Sequence, residues 1–487
     1  MRTIAACVAA AAFATVFCGA AGAETYKVSD LKAVAQLLGE KANPGDVIEI
    51  QPGTYYLEEK WIRVLKSGSP ESPIVVRGVI KDGKRPIIDA SKVNVQRSVF
   101  RVEEGVHDVV FENLEICNAV GSRFPEQKTY GVNATAIYFT GCNNITVRNC
   151  NSHDNEDGFF ANEGADYILI ENSEIHHNGT HATAEHNRTH NFYFCAKHQM
   201  VKNCYIHDTF EGENFKSRGA NTIFAFNWVD EEAIYSVAVD SGNGMNTLWL
   251  GNVIMKRSTL GASQGRLLGV GDGTGVARGK LVALNNTFIT KFPRDFYLFT
   301  FRSSTTDVIL MNNAFDGPGE WFLDHNGQGA ITGTNDWISD TAENVPYAIK
   351  NVIRGEDAGF ADPAGADFRL KAGSPLIDKG ATGEEYVKAI HIVTDNSRTG
   401  TDVSPSPMWL KAIEEIEKPT PAYEPVRKDY GFQTRPADGA VDIGAYEFVK
   451  SDGGDPAKFT STSSIFGFDT AWPGEGSPAK AASTDSR

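Results

Sequence analysis

The stretches IFAFN (223–227), LWLGN (248–252), LVALNN (281–286) and VILMNN (308–313) share one form: a short run of alternating apolar residues that ends at asparagine. The form appears earlier as VVFEN (109–113), ITVRN (145–149), ILIEN (168–172) and MVKN (200–203). From Asn113 onward the closing asparagines are 36, 23, 31, 24, 25, 34 and 27 residues apart, a base period of roughly 24 interrupted by loop insertions. A helical repeat of that length would set apolar residues at i, i+3 and i+4, whereas these runs alternate with period two between Gly and Asn. Stacked strand coils satisfy both features, because each coil hydrogen-bonds to the next and equivalent asparagines form ladders along the axis. The pattern predicts an all-β solenoid, a parallel β-helix, from about residue 45 to 320.

Ser29-Asp30 reads as the start of a short helix through Leu38, followed by the turn Asn43-Pro44-Gly45-Asp46 and the strand Val47–Ile50. Such a helix caps the open end of the core, where a bare first coil would expose apolar side chains and a strand edge. Beyond Asn313 the repeat becomes irregular, so residues 321–450 are expected to form C-terminal coils and loops on the 24–320 β-helix domain. Residues 451–487, rich in Ser, Thr, Ala and Gly, read as a disordered tail.

Met1-Arg2, the Ala-rich apolar run from Ile4 to about Ala20 and the small residues Ala21-Gly22-Ala23 read as a secretory signal over residues 1–23. No later segment has the roughly 18 uninterrupted apolar residues of a membrane span. The expectation is a secreted or periplasmic protein that acts as a monomer and does not enter a membrane. A formal charge of −16 over 487 residues argues against nucleic acid as partner, since a general basic surface is the usual footprint there. Five cysteines follow the signal, Cys117, Cys142, Cys150, Cys195 and Cys204, with no C-x-x-C spacing, and they read chiefly as small buried hydrophobes, with one bridge conceivable.

Two successive coils superpose directly: THNFYFC (189–195) on GENFKSR (212–218). In this register Phe192 lies over Phe215 as an inward residue, so Tyr193 and Lys216 both point outward, His190 falls near Glu213 and Asn191 near Asn214. The next coil, YSVAVDSGNG (235–244), brings Asp240 to the same outward face. Coils are about 4.8 Å apart, so Tyr193, Lys216, Arg218 and Asp240 can share one patch. The chemistry such a patch suits is proton removal next to a carboxylate, as at C5 of a uronic acid, which becomes feasible when the carboxylate's developing charge is neutralised by an Arg fork or a cation. Lys216 is then the candidate base, with Tyr193 or His190 donating to the leaving oxygen. The alternative is a solvated face on which Lys216 and Arg218 pair with Glu211, Glu213 or Asp240.

Nine of the eleven histidines fall between His107 and His207, and His153, His176 and His207 each stand four residues after an anchor asparagine, which predicts a stack along one corner. That stack reads as structural laddering, with a zinc site as the alternative. The turn HDNEDGF (153–159) places Asp154, Glu156 and Asp157 together, a set of hard oxygen ligands suited to calcium but without EF-hand spacing.

The set THNFY (189–193), ENFKSR (213–218), VDSGNG (239–244), GN (251–252) and NNTF (285–288) resembles the secreted right-handed parallel β-helix proteins of the pectate-lyase-like superfamily. PGTY (52–55) and VDIGAYE (441–447) are similar to the opening and closing motifs of those chains, so the resemblance covers most of residues 45–448. Lys216-Ser217 resembles the base-bearing strand of the chondroitinase B and alginate lyase group. By resemblance, Lys216 and an Arg, either Arg218 or Arg302, act there with a calcium ion that neutralises the uronate. Glu211 and Glu213 are the candidate metal ligands near that strand, although they stand closer to the Lys than the metal-binding acids of the group. Asp154 and Asp157 are the candidates from the acidic turn. Asn191, Asn214, Asp240 and Arg302 are expected to contact substrate.

The resulting expectation is a polysaccharide lyase that cleaves an acidic, uronate-containing polysaccharide by β-elimination. A C5-epimerase would use the same proton abstraction. A glycoside hydrolase on this fold needs two or three carboxylates around the scissile bond, and no N-x-D, D-D and G-H-G series stands on consecutive coils. A non-catalytic carbohydrate-binding or surface β-helix predicts outward aromatic ladders without a convergent acid-base cluster.

Overall fold

The structure is a computed structural model that describes residues 22–121, 134–179, 189–210, 212–231, 235–239, 245–256, 266–270, 279–290, 297–302, 305–325, 329–399, 403–418 and 441–448. Residues 1–21 of the expected signal and the tail from 451 lie outside them, as do Glu211 and Asp240.

Among the described residues the strands stack into three wholly parallel sheets of 10, 13 and 12 strands, and the central coils place one strand in each sheet. A representative coil runs Asp157–Ala161 in the first sheet, Asp166–Glu171 in the second and Glu174–His176 in the third. The register is set by inward residues. On the second sheet Val147, Ile170, Val201, Phe224, Trp249, Ala283 and Leu310 are level from coil to coil. On the first sheet Phe159, Phe192 and Phe215 are fully buried, with ring centroids 5.6 and 5.9 Å apart. A slip of one residue would turn these rows outward, so burial fixes the alignment. The chain thus has the expected all-β parallel β-helix architecture. The stack is longer than the repeat suggests: Thr25–Val28 pairs with Val47–Ile50 at one end, and Ile353–Gly355 closes the third sheet at the other.

The N-terminal cap is a single α-turn and a half, Leu31–Gln36, continued by a π-turn to Lys41. Asp30 accepts from the Ala33 amide at 2.7 Å, and Val34, Leu37 and Leu38 are buried against the first coils.

The anchor asparagines prove to occupy two positions. A single residue with positive φ turns the chain from the second sheet into the third: Asn113, Asn149, Asn172 and Asn203, then Phe226, Gly251, Asn285 and Asn312. Asn and Gly tolerate this left-handed conformation. Asn227, Asn252, Asn286 and Asn313 come one residue later, point inward and are fully buried. Each donates Nδ2–H to the Oδ1 of the next member, at 3.1, 2.8 and 2.9 Å, and Asn313 donates at 2.9 Å to Asp336. The second Nδ2–H of each goes to a backbone carbonyl: Val201, Phe224, Trp249 and Ala283.

Asp336 ends this ladder with a carboxyl where the pattern calls for an amide. The equivalent carbonyl one coil on is that of Leu310, which an ionised Asp336 cannot serve. Burial pushes the Asp336 carboxyl up from 3.8 to about 7. A carboxyl with a raised folded value costs nothing below its unfolded value, and its cost grows as pH rises toward the folded one, here from about 4 to about 7. We expect Asp336→Asn to raise stability at pH 8 and to remove this part of the pH dependence, measured as urea midpoints at pH 5 and pH 8. Equal effects at both values would refute the assignment.

The C-terminal region shields two of the three sheets. Helices Glu384–Thr394 and Pro407–Ile416 place Tyr386, Ile390, Trp409 and Ile413 on outward residues of the second sheet, among them Tyr167, Leu169, Met200 and Leu248. The hairpin Phe360–Asp362/Asp367–Leu370 and residues 441–448 cover Trp228, Val253 and Trp337 on the third. The outward side chains of the first sheet belong to neither cluster. Cys117, Cys142, Cys150 and Cys204 are buried cysteines and Cys195 is half-buried.

Candidate active site

The first sheet, which the described C-terminal elements leave uncovered, carries the residues singled out in the sequence. Tyr193 is level with Lys216, and Phe194 with Ser217, across the strands Phe192–Phe194 and Glu213–Ser217. Inward Phe215 and buried Ser217 lock the second strand, the latter through hydrogen bonds with Gln199 and Thr222 at 2.6 and 2.7 Å. Outward Lys216 then projects from a rigid element. Just before the strand, Gly212 adopts φ 78°, and a Cβ there would lie 2.1 Å from the Thr189 carbonyl oxygen and 2.5 Å from His190 Nδ1. Only glycine lets the backbone pass this close beneath the imidazole.

His190, Glu213 and Lys216 form a chain of contacts. His190 Nδ1 is 2.6 Å from Glu213 Oε2, and the same oxygen is 3.4 Å from Lys216 Nζ. Burial lowers the His190 pKa, as do the charges of Lys216 and Arg218, against the pull of Glu213. The Glu213 backbone N–H also points at His190 Nδ1, at 3.0 Å. Burial alone would raise Glu213, but His190 and Lys216 bring it down to about 2, so it is ionised. Asp157 stands on the preceding coil. Its Oδ1 accepts the His190 amide at 2.6 Å, and burial pushes its carboxyl well above the ordinary range.

Tyr193 sits between cations, with Lys216 Nζ 5.5 Å and the Arg218 guanidinium carbon 5.4 Å from its ring centroid. Its row continues over earlier coils. Phe160 meets Tyr193 edge-on at 4.9 Å and Tyr138 at 5.1 Å. Arg97 lies 5.2 Å from the Tyr138 ring and 5.6 Å from Phe160, and Arg101 lies 5.5 Å from Trp61. Cations over aromatic faces thus extend over six coils, roughly 24 Å at coil spacing. A local cationic strip in an acidic protein is what an acidic polymer would require.

The other expected residues lie elsewhere. Asn191 and Asn214 are fully buried in a second amide ladder, Asn155–Asn178–Asn191–Asn214, with links of 2.9, 2.8 and 2.5 Å. They hold the corner before the first sheet and do not face solvent, which corrects their expected contact with substrate. Arg302 ends the strand Tyr297–Arg302, two positions beyond Thr300, which is level with Lys216 through Gly269 and Ala238. It therefore falls in the row of Arg218, three coils away.

The acidic turn does not act as one cluster. Asp154 is held at 2.7 Å by His153 on the outer corner, Glu156 accepts the Gly121 and Ala134 amides at 3.0 and 2.7 Å, and Asp157 belongs to the first sheet. The aromatic row through Phe160 and Tyr138, and the part of Asp157 in seating His190, were not read from the sequence. Period-two phasing backward from Tyr193 would have found Phe160, but loop insertions break the simple repeat between these coils.

No protein-family model and no curated protein matches the sequence. Among solved structures the chain is similar to pectate lyase Pel9A, with 15% identity, a TM-score of 0.53, and coverage of 88% of this chain and 97% of that one. It also aligns with an alginate lyase from Paenibacillus sp. str. FPU-7, at 12% identity, a TM-score of 0.39, and 68% and 98% coverage. A mannuronic acid specific polysaccharide family 6 lyase from human gut microbiota aligns at 12% identity and a TM-score of 0.37, covering 81% of this chain and 98% of that one. The three parallel sheets and the Pel9A match together show that the chain has the parallel β-helix fold.

Proposed function

We propose that the protein is a polysaccharide lyase that cleaves a uronate-containing polymer by β-elimination on the first sheet. The observation that carries this reading is the convergence of Lys216, Tyr193, Arg218 and the buried His190–Glu213 pair at one end of a cation-lined aromatic row. Lys216, once its own proton has passed to solvent, takes the C5 proton. The C5–H electrons form the C4–C5 double bond, the C4–O bond breaks, and Tyr193 protonates the leaving oxygen. Arg218 faces the uronate carboxylate and offsets the charge that develops on it. His190 is only 1% exposed and acts as a positioning residue, holding Glu213 so that Lys216 Nζ keeps one orientation.

Calcium, which the resemblance implies, would neutralise the same carboxylate. It takes six to eight oxygens, and the described acids do not converge to supply them, since Glu213 is committed to His190 and Lys216. The substrate is thus an acidic polysaccharide, met outside the cytoplasm by an exported chain.

The test is ultraviolet absorbance of the unsaturated product, with the full chain on a panel of polyuronates and on neutral xylan as control. A rise on an acidic polymer supports the lyase. New reducing ends without absorbance would identify a hydrolase, C5 inversion without cleavage an epimerase, and binding alone a carbohydrate-binding protein. The aromatic row makes a further prediction. Phe160→Ala, one coil from Tyr193 and two from Lys216 and itself neither proton donor nor acceptor, should raise KM for long polymers about fivefold, as expected from a loss on the order of 1 kcal/mol, with a smaller change in kcat. An equal loss in kcat would place Phe160 in the chemistry instead.

A further inference from the structure

At the corner where each coil leaves the third sheet, three imidazoles stack. The centroids of His153 and His176 are 5.0 Å apart with planes 7° off parallel, and those of His176 and His207 are 4.8 Å apart and 8° off. The two ends of the stack carry the same pair of carboxylate contacts: Asp154 at 2.7 Å and Glu115 at 3.3 Å on His153, Asp208 at 2.7 Å and Glu174 at 3.4 Å on His207. They differ in the residue level with the imidazole one coil back, which is Cys117 for His153 and a second imidazole, His176, for His207. Glu174 and His176 share one face of their strand at i and i+2, and His207 is level with His176 on the next coil. One ligand atom from each of Glu174, His176 and His207 falls within 4.8 Å of the others.

The separation of 3.4 Å between His207 and Glu174 is long for a charge-assisted hydrogen bond, which closes to about 2.7–2.9 Å. It equals the edge of a tetrahedron whose centre stands about 2.0–2.1 Å from an imidazole nitrogen and a carboxylate oxygen. Asp208 supplies the outer partner that metal-binding histidines require, because an Nδ1–H donated to a carboxylate leaves the Nε2 lone pair aimed at the site. His176 is oriented similarly, with its Nδ1 2.6 Å from His177 Nδ1. Glu174 and His207 are buried and His176 is half-buried, so the trio opens to solvent on the His176 side.

We infer that Glu174, His176 and His207 bind one divalent transition metal of the zinc class, with water completing the coordination. Two imidazoles and a carboxylate are borderline ligands suited to zinc and poor for calcium. The ion ties two consecutive coils at a corner distinct from the first-sheet site, and its role is to stabilise the solenoid. This inference is independent of the lyase reading.

The test is calorimetric titration of the chelator-stripped full chain with Zn²⁺, together with visible absorption of the Co²⁺ form. One equivalent bound, with the ligand-field bands of four-coordinate cobalt, is expected in the wild type and in His153→Ala. His176→Ala should abolish stoichiometric binding. Should that variant fail to fold by circular dichroism, Asp208→Asn leaves all three ligands in place and should weaken binding about 10–100-fold. Less than one equivalent in the wild type would overturn the site and leave the corner as a hydrogen-bonded ladder. Unchanged binding in His176→Ala or in Asp208→Asn would move the metal elsewhere and overturn it equally.

Discussion

Lys216→Ala is expected to lower the rate of unsaturated-product formation by about 10³-fold or more, the range in which a general base acts, while polymer affinity changes little. Lys216 points out of a strand whose inward neighbours, Phe215 and Ser217, carry the packing, so truncation leaves the coil in place. The variant also releases Glu213, whose carboxylate then keeps only His190 as its close partner. Lys216→Gln separates the two effects, since it can donate to Glu213 but cannot take a proton. Both variants should be inactive and only the alanine less stable. An active Lys216→Gln would end the assignment of Lys216 as base. The pair also sets an acid-side limit. Glu213 is lowered from 4.5 to about 2, so its contribution is complete above about 4.5 and is lost as pH falls through about 2. Glu213→Gln should therefore flatten stability across that window, measured by chemical denaturation.

The repeat was legible because burial leaves a period. Val147, Ile170 and Val201 must recur at one level to fill a core only one coil thick, and that requirement writes itself into the chain. The level pairing of Tyr193 with Lys216 followed from the same alternation, as Phe192 and Phe215 fix the phase of both strands. What alternation does not carry is the identity of corner positions. Asn203 and Asn227 look alike in sequence, yet one supplies a left-handed corner and the other an inward amide, because the corner residue on the second coil is Phe226. Asn191 and Asn214 were misread for the same reason: they interrupt the regular pairing at the start of the first-sheet strands and turn inward. Glu174 carries no mark in the sequence beside the histidines, since its approach to His207 depends on two coils being stacked in space and not on spacing along the chain.

Asn286→Ala is expected to destabilise the fold by about 3–5 kcal/mol, more than an ordinary polar substitution. The side chain has no exposure and sits in the middle of the inner ladder. Its Oδ1 accepts from the Asn252 amide at 3.0 Å and from Asn252 Nδ2 at 2.8 Å, and its Nδ2 donates to the Trp249 carbonyl at 3.0 Å and to Asn313 Oδ1 at 2.9 Å. Alanine leaves two buried donors and a buried carbonyl without partners, each costing about 1–3 kcal/mol before relaxation. Because each coil touches only its neighbours, the loss should be local in origin. Hydrogen exchange should show protection falling most in the strands Met245–Leu250, Gly279–Leu284 and Asp307–Met311, and least at Val47–Ile50. The paired substitution Asn286→Asp keeps the acceptor but places an ionisable group where Asp336 already shows the cost of one. It should be tolerated at pH 5 and strongly destabilising at pH 8, whereas Asn286→Ala should be equally unstable at both. A ladder that contributed only packing would make the alanine and aspartate variants alike at every pH.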